Sequence, residues 1–106
     1  MVPFGLLLAA ALACSEDDAK KQTAAHAEVK SFCAVKNGCD FKARKPSPLN
    51  ADEKKDTTLA WVVTASQIHS YDEQGRPRFM PEGAIFTHVN KQCVVTEVIG
   101  MVPRGK

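Results

Sequence analysis

Four cysteines (Cys14, Cys33, Cys39 and Cys93) and three histidines (His26, His69 and His88) are the side chains whose chemistry first suggests a function, and their spacing separates the possible uses. Structural zinc sites draw paired ligands from positions two to four residues apart. Cys33 and Cys39 have five residues between them and the histidines lie far from one another, so no metal and no cofactor are expected. A nucleophilic Cys–His pair assembles in space and not in sequence, so a thiol enzyme stays open as an alternative. No stretch around the cysteines resembles an activated thiol, however, and the chain has no glycine-rich phosphate loop and no G-x-S-x-G elbow. Cys33, Cys39 and Cys93 are therefore read as disulfide candidates of a protein in an oxidising compartment. A bridge from Cys93 back to Cys33 or Cys39 closes a long loop and is expected to contribute about 4 kcal/mol.

The compartment is indicated by Leu6-Leu7-Leu8-Ala9-Ala10-Ala11-Leu12-Ala13-Cys14, an apolar run that stops at a cysteine and is followed by Ser15-Glu16-Asp17-Asp18. Val2 to Ala13 falls short of the roughly 20 residues that a membrane-spanning helix needs and fits the core of a signal peptide. The segment resembles the end of a bacterial lipoprotein signal peptide. In that family the cysteine follows a large aliphatic and two small residues; here the order is Ala11, Leu12, Ala13. The resemblance implies cleavage before Cys14, acylation of its sulfur (palmitate among the chains attached), and, with Ser15 rather than an aspartate next, an outer-membrane lipoprotein facing the periplasm or the cell surface. No Lys or Arg lies between Met1 and Cys14; the basic segment that opens secretory signals is expected upstream. With Cys14 carrying lipid, one of the other three thiols is left over.

These residues have to be held by a small chain. Residues 1–13 are expected to be the signal peptide, 14–22 a flexible tether, and 23–106 one α+β domain with a long charged loop over 42–58. A domain of that size has a marginal core by surface-to-volume scaling and benefits from a covalent staple. Ala25, Val29, Phe32 and Cys33 share one helical face, which predicts a short helix ending at Asn37-Gly38. From Leu59 the period changes to two. Strands are expected at 59–65, 68–71, 76–79, 84–89 and 93–99, with turns at Asp72–Gly75, Met80–Gly83 and Asn90-Lys91. The fold class is α+β, mainly β: a short N-terminal helix, then a small antiparallel sheet or barrel, SH3-like or sandwich-like in outline.

A net charge of +2 with interspersed signs predicts no nucleic-acid partner, and Lys42-Ala43-Arg44-Lys45 reads as a solvated basic run. Tyr71, Arg76, Arg78, Phe79 and Met80 gather at one hairpin and are the residue types that interfaces favour. The expected function is a lipid-anchored interaction or adaptor protein of the cell envelope, non-enzymatic, such as an accessory subunit of a secretion or conjugation apparatus or an exclusion lipoprotein. An inhibitor of an envelope hydrolase is the third class considered.

Overall fold

The computed structural model describes residues 14–100. The expected signal peptide, 1–13, and the last residues of the expected domain, 101–106, lie outside the described residues.

The chain folds as helices α1 (Glu16–Ala25) and α2 (Ala27–Phe32), strand β1 (Cys39–Arg44), helix α3 (Ala51–Lys55), and strands β2 (Leu59–Tyr71), β3 (Pro77–Asn90) and β4 (Val95–Gly100). The four strands form one antiparallel sheet in the order β1-β2-β3-β4. The α+β, mainly β class is thus as the sequence implies, and the sheet is open, with α1 and α2 packed on one face.

Where a tether was expected, the chain is helical. Ser15 caps α1 by accepting the amide of Asp18 at 3.1 Å, and Glu16, Asp17 and Asp18 place negative charge at the positive end of the helix dipole. Ala19 and Thr23, one turn apart, are fully buried against the sheet. Because neither is large, α1 lies close to the strands. His26 breaks the helix with an extended backbone and caps α2, its Nδ1 accepting the amide of Glu28 at 3.2 Å. The second helix buries Val29 and stops at Phe32, earlier than Asn37-Gly38; Gly38 still takes the left-handed conformation, φ +68°, in the turn that feeds β1.

One expected turn and one expected break between strands are absent. Residues 59–71 run as one strand with register shifts near Gln67, and 77–90 run as another, so Met80–Gly83 forms a bulge inside β3 and not a reversal. Four long or medium strands replace five short ones.

The helix-covered face carries the core: Ala19 with Val63 and Val89, and Val29 with Ala65 and Ile85. A fully buried valine is worth roughly 1.5–3 kcal/mol, but nearly all the buried apolar side chains here are Val, Ala or Ile, so the core is thin. Between the two clusters the hydroxyls of Thr23 and Thr87 hydrogen-bond at 2.8 Å, both residues fully buried. Either Thr→Val change alone strands the other hydroxyl and is expected to cost about 1–2 kcal/mol, whereas the double change is expected to be nearly neutral. Urea melts of the two single and the double variants give the coupling directly; additive losses would show that the bond does not matter.

All four cysteines are bridged. Cys33–Cys39 joins the end of α2 to the start of β1, and Cys14–Cys93 joins the start of α1 to the β3–β4 turn across 79 positions. The long-loop bridge from Cys93 therefore exists, but it reaches Cys14; the pairing with Cys33 or Cys39 expected from the sequence is corrected, since those two lie close enough, Cα to Cα 5.4 Å, to bridge each other.

Candidate functional site

Residues directly opposite in an antiparallel ladder share a face. On the face away from α1 and α2 the register lines up Arg44, Val62, His88 and Glu97 in one row and Lys42, Thr64, Phe86 and Ile99 in the next. The loop expected over 42–58 contains α3, which folds over the first row. Asn50 starts it, its Oδ1 accepting the amides of Asp52 and Glu53 at 3.0 and 3.1 Å. Glu53 is then 5% exposed and receives both Nη atoms of Arg44, at 2.8 and 2.7 Å, and the amide of Ser47 at 2.7 Å.

The bidentate bond from Arg44 holds the Glu53 carboxyl at about 2, well below the ordinary carboxylate range, against the opposing effect of burial; the same bond raises Arg44. Buried His88 has its Nδ1 3.4 Å from Oε1 of Glu97. Between α3 and the sheet lies a hollow of about 320 Å³ lined in part by Arg44, Glu53, Phe86, His88 and Ile99. The Glu53 carboxylate is taken up by its partners, and with every cysteine in a disulfide the structure offers no thiol for His88, His69 or His26 to activate. Among the described residues no three His, Cys, Asp or Glu side chains converge on a point that could hold a metal ion.

The hairpin residues singled out in the sequence stand apart from this hollow. Cys39, the first residue of β1, pairs with Gln67, and β4 is described to Gly100, opposite Ile85. Among the described residues the β2–β3 hairpin runs on past both as a two-stranded arm. Its base is tied on one side, where the Ile68 amide donates to the Gly38 carbonyl and Asn37 Nδ2 to the His69 carbonyl, each at 2.9 Å. Its tip is locked by Asp72: one carboxylate oxygen accepts the amides of Gln74 and Arg76 at 2.9 and 2.8 Å, the other accepts Arg76 Nε at 2.9 Å, and Gly75 takes φ +80°. Those bonds, the Arg76 amide first, lower the Asp72 carboxyl below its ordinary value.

Tyr71 is 53% and Phe79 40% exposed on this arm. Arg78 is exposed and Met80 half-buried. Arg76 is mostly spent on the turn; Arg78 pairs with Ser70 on one face of the arm, and the aromatic surface presented on the other is Tyr71 and Phe79.

Three features escaped sequence reasoning: the Arg44–Glu53–Ser47 cluster, the Cys14–Cys93 bridge, and the bond from Trp61 Nε1 to the Cys14 carbonyl at 2.8 Å. Only the first left a signal, the spacing of Asn50 and Glu53 at the first and fourth positions of a capping motif. No helix among the described residues is long and apolar enough to cross a membrane.

These observations define an open-sheet α+β domain stapled at both ends, with a projecting hairpin. No protein-family model matches the chain, and no curated protein or solved structure matches it.

Proposed function

We propose that this chain is an exported binding module of the cell envelope that engages a protein partner through the free end of its β2–β3 hairpin. The observation that carries this reading is the exposure of Tyr71 and Phe79 on an arm whose turn is fixed by Asp72. Large aromatics left in water on a pre-ordered element are the residues that dominate binding when a partner covers them, and little ordering entropy remains to be lost. Two disulfides fit a protein that works in an oxidising compartment. The sequence of residues 6–14 supports export and, by its likeness to lipoprotein signals, an anchored form at the outer membrane. In that form the sulfur of Cys14 bears lipid and Cys93 is without its partner. An accessory role in a secretion or conjugation apparatus, or in exclusion, belongs to the same reading.

Crosslinking in cells followed by capture tests it. Tyr71→Ala and Phe79→Ala are each expected to weaken the captured complex by about 2 kcal/mol, some thirtyfold, while costing the free protein less than the loss of a core aromatic because both side chains are partly exposed. A partner retained at full strength by both variants removes the arm as the contact. Capture of a hydrolase whose activity falls on binding would turn the module into an inhibitor acting through the same arm.

A further inference from the structure

We infer that the Ala13–Cys14 peptide bond is the cut site of a general signal peptidase, one that reads small residues at the first and third positions before the bond, and that the sulfur of Cys14 goes to Cys93 and not to lipid. This rests on the export reading above and decides which of its two forms the cell makes.

Ala11-Leu12-Ala13 has a small residue at both of those positions, the A-x-A form of an export cleavage site. The lipoprotein pattern asks for the opposite arrangement, a large aliphatic where Ala11 stands and a small residue where Leu12 stands.

The fold takes hold at the very next residue. The Cys14 carbonyl accepts Trp61 Nε1 at 2.8 Å, its side chain packs against the Ala19–Val63–Val89 cluster, and Ser15 already caps α1. A sulfur that carries acyl chains has to reach a bilayer, usually from the end of a polar tether. Here no slack separates Cys14 from the sheet, and Sγ faces Cys93 with the Cα atoms 5.1 Å apart.

The chemistry balances in two steps. Water adds across the Ala13–Cys14 amide, leaving a carboxylate on Ala13 and an α-ammonium on Cys14. The thiols of Cys14 and Cys93 then each lose a proton and an electron to a disulfide-bearing oxidoreductase, which departs as its dithiol. A positive charge at the start of a helix opposes the dipole, and the acidic first turn of Glu16, Asp17 and Asp18 offsets it.

Expression of the full chain in a bacterium with two membranes, fed labelled palmitate, separates the outcomes. The expected product has the non-reduced mass of residues 14–106 less four hydrogens, two per bridge, carries no label, and is alkylated only after reduction. Cys14→Ser is the decisive variant. A general peptidase accepts serine after the cut, so processing continues and Cys93 becomes open to alkylation; the lipoprotein enzyme requires cysteine, so its precursor would accumulate. Cleavage is scored in a short pulse and does not depend on whether the variant folds stably. Labelled protein with a free Cys93 overturns this inference and leaves export standing, whereas uncleaved, reduced protein in the cytoplasm overturns both.

Discussion

Replacing Cys14 and Cys93 together with serine is expected to lower the free energy of unfolding by about 4–5 kcal/mol, about twice the effect of removing the other bridge. The bridge spans 79 positions, so without it the unfolded ensemble regains nearly the conformational freedom of the whole domain. The Cys33–Cys39 bridge spans 6 positions, and the same loop-closure dependence gives it only about 2–2.5 kcal/mol. The difference is decisive because the core is thin: a domain of this size has 5–15 kcal/mol of stability in all, and one built on valine and alanine belongs at the low end. In thermal terms the long-range change is expected to lower the midpoint by roughly 20 °C or more. Urea and thermal melts of the oxidised wild type beside both double-serine variants check the ranking. If losing the short bridge costs as much as losing the long one, loop closure is not the source of the stabilisation.

Arg44→Ala is expected to cost about 2–3 kcal/mol at neutral pH, because it leaves the Glu53 carboxylate buried with the Ser47 amide as its remaining partner. The same geometry sets an acid limit. Glu53 titrates at about 2 in the folded chain against an ordinary value of 4.5, so its contribution is complete above pH ~4.5 and is lost as pH falls towards 2. Denaturant midpoints followed from pH 6 to pH 2 should therefore slope downward through this window, and Glu53→Gln should flatten the slope while lowering the plateau. Asp72 and Asp56, also lowered by hydrogen bonds from Arg76 and Thr58 respectively, lie in surface turns where solvent screening leaves them little to add. An unchanged acid limb in Glu53→Gln would place the pH sensitivity elsewhere.

What could be read from the chain beforehand follows from which side chains are large. The alternation from Leu59 marks β2 because Leu59, Val62, Val63 and Ile68 are both apolar and buried. Asp72–Gly75 and Asn90-Lys91 announce their turns through residues that accept the required amides. Helix α1 is silent to periodicity because the residues it buries, Ala19 and Thr23, are small or polar; its only signals are the Ser15 cap and the acidic first turn. Met80-Pro81-Glu82-Gly83 has the composition of a turn, yet the flanking strand pairs on both sides of it with β2, so long-range pairing overrides the local preference. The hairpin cluster was legible as a composition, and the structure adds that Arg76 serves the turn. The bridge to Cys14 has no local cause, since it is made by the return of the β3–β4 turn to the start of α1, whereas the grip of Arg44 on Glu53 joins consecutive elements and leaves a local trace only in the Asn50 cap of α3.

The two bridges are nested, Cys33–Cys39 lying wholly inside the span of Cys14–Cys93. A chain threaded through a membrane N-terminus first delivers its thiols in the order Cys14, Cys33, Cys39, Cys93. An oxidant that joins them as they arrive makes Cys14–Cys33, which is not a native pair. The native set is then reached only by thiol–disulfide exchange, with Cys39 attacking that bond at Cys33 and releasing Cys14 to wait for the final hairpin. If the chain is exported as proposed, its maturation leans on a reshuffling catalyst as much as on an oxidising one, and a host compartment that supplies only the second is expected to accumulate protein of the right mass and the wrong connectivity.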